Sequence, residues 1–268
     1  MTSQADKAKQ FLTLHKPGEP LLMPNPWDLG SARILASLGF RALATTSAGA
    51  AMSLGKTDGG LTRGEALEHA RTIVNSTDLP VSADLEQGFA DEPAGAARTV
   101  VLAMETGLAG CSIEDYSGPG GALYDIGLAR ERITAAAEAA HIGEVPFVLT
   151  ARAENHIRGN PDLADTIARL QAYQEAGADV LYAPGLTALE DIRQVVTSVD
   201  RPVNVLTLPG LPPVAELAAA GVARISVGSG LFAAAYGTLA EAAIELRDQG
   251  TYGYTGGPGQ AAASAAFK

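Results

Sequence analysis

Residues 81–90 read VSADLEQGFA. Alternate side chains of an extended strand share a face, so Asp84 and Glu86 point the same way. Two carboxylates so placed repel unless a positive group lies between them or one is protonated. A third acid, Glu114, lies in CSIED (111–115), and a guanidinium, Arg152, closes PFVLTAR (146–152). Taken singly, each acid reads as a solvated strand end or an ion-pair partner. Three in one mouth select a hard divalent cation, because an all-oxygen set without His or Cys suits Mg2+, with Mn2+ as the alternative, and leaves it several waters. Arg152 is either a salt-bridge partner of Glu154 or Glu114, or a permanent charge facing an oxygen that turns negative during a reaction. The small-residue turn Ser47-Ala48-Gly49-Ala50 is able to aim backbone N–H groups at a carboxylate.

These residues need a frame. Short apolar runs recur at 21–25, 42–47, 80–86, 111–115, 146–152, 179–184, 202–206 and 224–228, and each is followed by a longer amphipathic stretch. Thr62 and Glu65 have capping-box spacing, and Gly39, Gly107, Gly177 and Gly221 each close a helical stretch before the next apolar run. Strict alternation calls for a parallel sheet covered by helices, and eight units predict an α/β fold, a closed (β/α)8 TIM barrel. An open doubly wound sheet is the alternative, but no Gly-x-Gly-x-x-Gly turn follows the first run. The strand ends collect Asn25, Asp28, Ser47, Asp84, Glu86, Glu114, Asp115, Arg152, Glu154, Tyr182, Asn204, Ser226 and Ser229, whereas the strand beginnings are mostly Pro, Val and Ala. In such a barrel the carboxyl ends line the active face.

The chain of 268 residues is expected to form one barrel domain over 1–250, followed by a Gly/Ala-rich tail over 251–268 that is extended and unanchored. A net charge of −11 argues against nucleic acid and anionic membrane partners. The single cysteine, Cys111, excludes an internal disulfide and reads as a small core residue. No apolar run is long enough to span a bilayer, and the first residues lack the apolar centre of a signal peptide, so a cytoplasmic location is expected.

In order along the chain, TTSAGAA, GKTDGG (55–60), PVSADLEQGFA, GCSIEDYSG, LTARAEN, PVNVLTLPG and RISVGSGLF resemble the isocitrate lyase/phosphoenolpyruvate mutase superfamily. The resemblance implies a barrel with a C-terminal helix swapped between subunits, usually in a tetramer. It also implies a Mg2+ ion that binds a small oxo or hydroxy acid, and a pyruvate-like enolate formed as a C–C or P–C bond breaks. By this resemblance Asp84, Glu86 and Glu114 are the metal-associated acids, with Glu86 where a second Asp is commoner. Arg152 and the Ser47, Ala48 and Gly49 turn bind substrate, Asn204 and Trp27 join them, and Asp58 is the loop aspartate that positions the reacting group or water.

The match has gaps. After Ile-Glu-Asp the lyase branch carries Lys-x-Cys-Gly-His, where this chain reads YSGPGGALYD, so the usual thiol proton donor is missing. The phosphonate branch carries Lys and Asn in that loop, where Gly121 and Ala122 stand. Pro184 occupies the strand-six end where lyases hold a glutamate. Glycines over 117–121 suit a closing lid, and Tyr116, Tyr124 and Asp125 become the acids to consider there, Tyr116 first. His156, on the loop after strand five, reads as a neutral surface residue, with proton transfer as its alternative. The expected activity is Mg2+-dependent cleavage next to the carbonyl of a small 2-oxo or 2-hydroxy (di)carboxylic acid by a decarboxylase, hydrolase or retro-aldol lyase. Phosphonomutase or phosphonopyruvate hydrolase chemistry, or a non-catalytic oxo-acid sensor, are the alternatives.

Overall fold

Each of the eight apolar runs becomes a parallel strand in the computed structural model, which describes residues 2–267. The order is α1 (Gln4–Thr13), β1 (Leu21–Met23), α2 (Leu29–Ser37), β2 (Leu43–Ala44), α3 (Ser47–Ser53), α4 (Arg63–Val74), β3 (Val81–Asp84), α5 (Pro93–Met104), β4 (Gly110–Glu114), α6 (Ile126–Ala140) and β5 (Val148–Arg152). It continues with α7 (Leu163–Glu175), β6 (Val180–Tyr182), α8 (Leu189–Thr197), β7 (Val203–Leu206), α9 (Val214–Ala219), β8 (Arg224–Ser226), α10 (Gly230–Gln249) and α11 (Pro258–Ala265).

Strand ladders run β1-β8-β7-β6-β5-β4-β3-β2. The remaining seam, between β1 and β2, is stitched by Ala44 N–H to the Pro24 carbonyl at 3.1 Å and by Asn25 Nδ2 to the Thr45 carbonyl at 2.9 Å. Asn25 Oδ1 also accepts from Val227 and Gly228 N–H, so this one side chain joins three strand ends. The architecture is a (β/α)8 barrel. Between barrel and helices lies an aliphatic core, including Leu43, Leu85, Ile113, Leu149 and Leu181, against which small alanine faces let the helices approach closely.

The amino-terminal mouth is plugged. Helix α1 lays Ala8 and Phe11 onto Leu21, Met23, Val148 and Val180 inside the barrel. Ser3 caps it by accepting from Asp6 N–H, and Gln4 Nε2 donates to the carbonyls of Met104 and Leu108. Two other expectations are corrected. The turn at 47–50 is the first part of helix α3, capped by Thr46. The tail is anchored: its alanines form α11, which packs on α2. Helix α10 buries only Phe232 of its 20 residues. No helix of the described residues is long and apolar enough to cross a membrane.

Candidate active site

The site begins with strand register. Glu114 and Arg152 are paired neighbours at the ends of β4 and β5, and Asp84 ends the adjoining β3. Arg152 is the hub. Its Nη1 donates to Asp84 Oδ1 at 2.9 Å, its Nη2 lies 3.1 Å from Glu114 Oε2 and 2.6 Å from Glu154 Oε1, and its ring-side partner is Tyr182 at 5.2 Å. Asp84 Oδ2 accepts from both the hydroxyl (2.8 Å) and the backbone N–H (3.2 Å) of Ser47. A second guanidinium, Arg158, sits 3.6 Å from Glu114 and 2.9 Å from Glu154, with its face on Tyr116 at 4.0 Å. The sequence did not single out Arg158. Its four-residue spacing from Glu154 at the start of the loop after β5 was the available signal.

Charge does not balance here. Asp58, Asp84, Glu86, Glu114 and Glu154 are five acids facing two guanidiniums, Arg152 and Arg158. Burial, then the Asp84 and Asp58 charges, push Glu86 up to about 7. Burial and Asp84 likewise raise Asp58, and burial raises Glu114 well above the carboxylate range although Arg152 opposes it. Burial pulls the pKa of Arg152 down, but Glu154, Glu114 and Asp84 outweigh it and keep the guanidinium protonated.

Glu86 is held in place from outside. Its backbone adopts φ +49°, a left-handed conformation that is uncommon for a residue with a side chain and marks functional positions. The buried Arg132 of α6 reaches over to donate to the carbonyls of Gln87, Ala90 and Asp91, fixing the loop that follows β3. Tyr124 supports the same clamp: its hydroxyl donates to Asp91 at 2.5 Å and its ring lies 4.3 Å from the Arg132 guanidinium. Tyr124 is therefore a structural group, as is Asp125, which caps α6 by accepting from Gly127 N–H. Asp115, buried between Arg169, Tyr173 and the Glu154 N–H, anchors the barrel rim. Asp28 caps α2.

Two cavities meet at Arg152. The inner one, about 130 Å3, descends into the barrel past Ser47, Ala48, Asp84, Tyr182, Asn204, Arg224 and Ser226. The outer one, about 290 Å3, lies under the segment after β4 and is lined by Asp58, Glu86, Glu114, Tyr116, Pro119 and Arg158. That segment is folded down: Pro119 lies against Gly59, and Ser117 is tied back to Ala122. So Ser47, Ala48, Asp58, Asp84, Glu86, Glu114, Tyr116, Arg152 and Asn204 converge as expected from the sequence. Gly49 and Trp27 line neither cavity: the Gly49 N–H is taken by the Thr46 hydroxyl, and Trp27 packs edge-on against Phe232 at 5.5 Å. His156 also stands outside both cavities, and burial lowers its pKa.

The three acids expected to share a cation do not form a closed cup. Asp84 and Glu114 turn to Arg152, and among the described residues no three His, Cys, Asp or Glu side chains form a metal cage. The donor set nonetheless fits a hard divalent ion. It is all oxygen, it carries excess negative charge, and among the described residues Glu86 Oε1 is buried without a hydrogen-bond partner. Few direct carboxylates and several retained waters are the usual coordination of Mg2+.

A parallel barrel with acids and an arginine at its carboxyl mouth defines an enzyme-like (β/α)8 site. The sequence model for phosphoenolpyruvate phosphomutase matches residues 11–247, and the chain belongs to that family, within the phosphoenolpyruvate mutase/isocitrate lyase superfamily. A Burkholderia cenocepacia J2315 protein carrying only the general label lyase/mutase is 49% identical, with 97% of this chain and 95% of that one superposing at a TM-score of 0.92. The 2-methylisocitrate lyase of Escherichia coli K12 is 31% identical over 211 residues, 72% of this chain and 70% of that protein. Oxaloacetate acetylhydrolase in complex with the product oxalate is 26% identical, over 99% of this chain and 95% of its own, at a TM-score of 0.86.

Proposed function

We propose that the protein is a Mg2+-dependent enzyme that cleaves a C–C bond next to the carbonyl of a small 2-oxo or 2-hydroxy carboxylic acid through an enolate. The observation that carries this reading is Arg152, fixed by Asp84, Glu114 and Glu154 at the junction of two cavities. A guanidinium so fixed is aimed before the reaction begins and needs no reorganisation as charge develops on a substrate oxygen. Asp84, Glu86 and Glu114 are the residues that would hold the cation, directly or through water. When bound, it would act as a Lewis acid on the substrate's carbonyl and carboxylate oxygens.

The chain's own groups do the rest. Ser47 offers a hydroxyl and an N–H at the cavity mouth, where a substrate carboxylate competes with Asp84 for them. Asp58 and Tyr116 both line the outer cavity. The raised pKa of Asp58 lets it exchange a proton closer to neutrality than an ordinary carboxyl, so it suits protonation of the departing enolate or activation of water. The folded segment after β4 lies along one side of the outer cavity through Tyr116, Gly118, Pro119 and Gly120. An inner cavity near the size that accepts a benzene-like molecule limits the substrate to a few carbons. The active form is a homo-oligomer without nucleic acid or membrane partners.

A panel of oxaloacetate, 2-methylisocitrate, 2,3-dimethylmalate and phosphonopyruvate, each with Mg2+ and with EDTA, tests the reading. Turnover of a C–C substrate that EDTA abolishes is expected. Faster turnover of phosphonopyruvate than of every C–C substrate would overturn the order in favour of the phosphonate chemistry that the family's name denotes.

A further inference from the structure

Arg224 opens β8 and is 3% exposed, yet it lines the inner cavity. Among the described residues its side-chain hydrogen-bond partners are neutral. Its Nε donates to Asn204 Oδ1 at 2.9 Å, and its Nη1 meets His15 Nε2 at 3.2 Å. The tautomer of His15 follows from its other contact: Nδ1 is 2.8 Å from the Phe11 carbonyl, which only accepts, so Nδ1 carries the hydrogen and Nε2 accepts from Arg224. Asn204 is oriented in turn, its Nδ2 donating to Ser226 Oγ at 2.9 Å.

Arg152, Arg158 and Arg169 are each matched by carboxylates, whereas among the described residues Arg224 forms no ion pair. Burial lowers its pKa only to about 10, so it stays charged at neutral pH. A buried charge without a counter-ion is costly, and the cavity beside it is where a counter-ion fits.

We propose that Arg224, positioned by His15 and Asn204 and accompanied by Ser226, is a second carboxylate subsite at the floor of the inner cavity. The substrate is then a dicarboxylate that spans from Arg152 and Ser47 down to Arg224. This rests on the oxo-acid reading above and narrows its substrate class. The guanidinium fork matches the two oxygens of a carboxylate, and one positive charge balances one negative charge, whereas a phosphonate dianion would leave an excess.

Calorimetry in Mg2+ with three probes tests it. Oxalate reads the Arg152 end alone. Malate adds a distal carboxylate, and 2-hydroxy-4-methylpentanoate replaces that carboxylate with an uncharged group of the same branched shape. The wild-type protein is expected to bind malate at least roughly tenfold more tightly than the isostere. Arg224→Met is expected to weaken malate by roughly 10- to 100-fold and erase the preference, with oxalate changed by less than about threefold. No preference in the wild-type protein, or equal weakening of oxalate and malate in the variant, would overturn the subsite. Should Arg224→Met not fold, the wild-type ratio of malate to its isostere decides alone. Failure of the wild-type protein to bind even oxalate would remove the oxo-acid reading itself, and the subsite with it.

Discussion

Arg152 contacts three acids because three neighbouring positions, the ends of β3 and β4 and the loop beyond β5, bring their carboxylates to one point. Lysine in its place keeps the charge but loses the planar fork that reaches Asp84 and Glu154 together. Arg152→Lys is therefore expected to lower kcat by about 100- to 1000-fold with a smaller change in KM. Steady-state kinetics on the best substrate of the panel checks this, with circular dichroism to establish the fold, and an unchanged kcat would remove Arg152 from the reaction. At this scale much of the site was readable beforehand, because acids, an arginine and a serine at strand ends are rare enough to be noticed. Arg224 escaped notice: it stands at the beginning of a strand, and the strand beginnings are mostly Pro, Val and Ala. Yet it is two residues before Ser226, and alternation along β8 turns both inward. Trp27 and Gly49 went the other way. Their neighbourhood was right, but side-chain direction and a backbone cap are settled by packing that the sequence does not display.

The strands and their following helices follow from hydrophobic periodicity. Their ends do not: the run at 42–47 yields only Leu43 and Ala44 as strand, because Thr46 is drawn off to cap α3. Helix α1 was missed because it is mostly polar and its apolar stripe is short, though Ser3 and Asp6 carry its capping signal. Its role can be tested through His15, just past its end. Burial, and then the Arg224 charge, lower the pKa of His15 from 6.5 to about 3, against the pull of the Phe11 and Leu12 carbonyls. Between those values the unfolded chain binds a proton that the native protein refuses, so stability falls as pH falls from 6.5. His15→Gln keeps an acceptor for Arg224 and cannot titrate. From pH 6.5 to 5 the wild-type protein is expected to lose about 2 kcal/mol more than the variant, measured by urea unfolding. Parallel curves would mean that α1 does not hold His15 neutral against Arg224.

Helix α10 fits poorly into an isolated molecule. Phe232, Tyr236, Leu239, Ala243 and Leu246 recur at the spacing of a single helical stripe, and only Phe232 is covered. Leu239 is 62% exposed and Leu246 47%. A contiguous apolar stripe of this kind marks an interface, and an oppositely charged macromolecule is a poor match for it, since the stripe is uncharged. A second copy of the same helix is self-complementary by symmetry and buries both stripes at once. The wild-type chain is therefore expected to scatter light as a multiple of its 27.4 kDa mass at micromolar concentration. Leu239→Glu places a charge in the middle of the stripe, which an exposed helix tolerates and a buried interface does not. The variant is expected to shift toward the single-chain mass and to melt at a lower temperature, because association stabilises the folded chain by mass action. A wild-type protein that already runs as a single chain, or a variant with unchanged mass and melting temperature, would mean that α10 meets solvent along its length and that the barrel works alone.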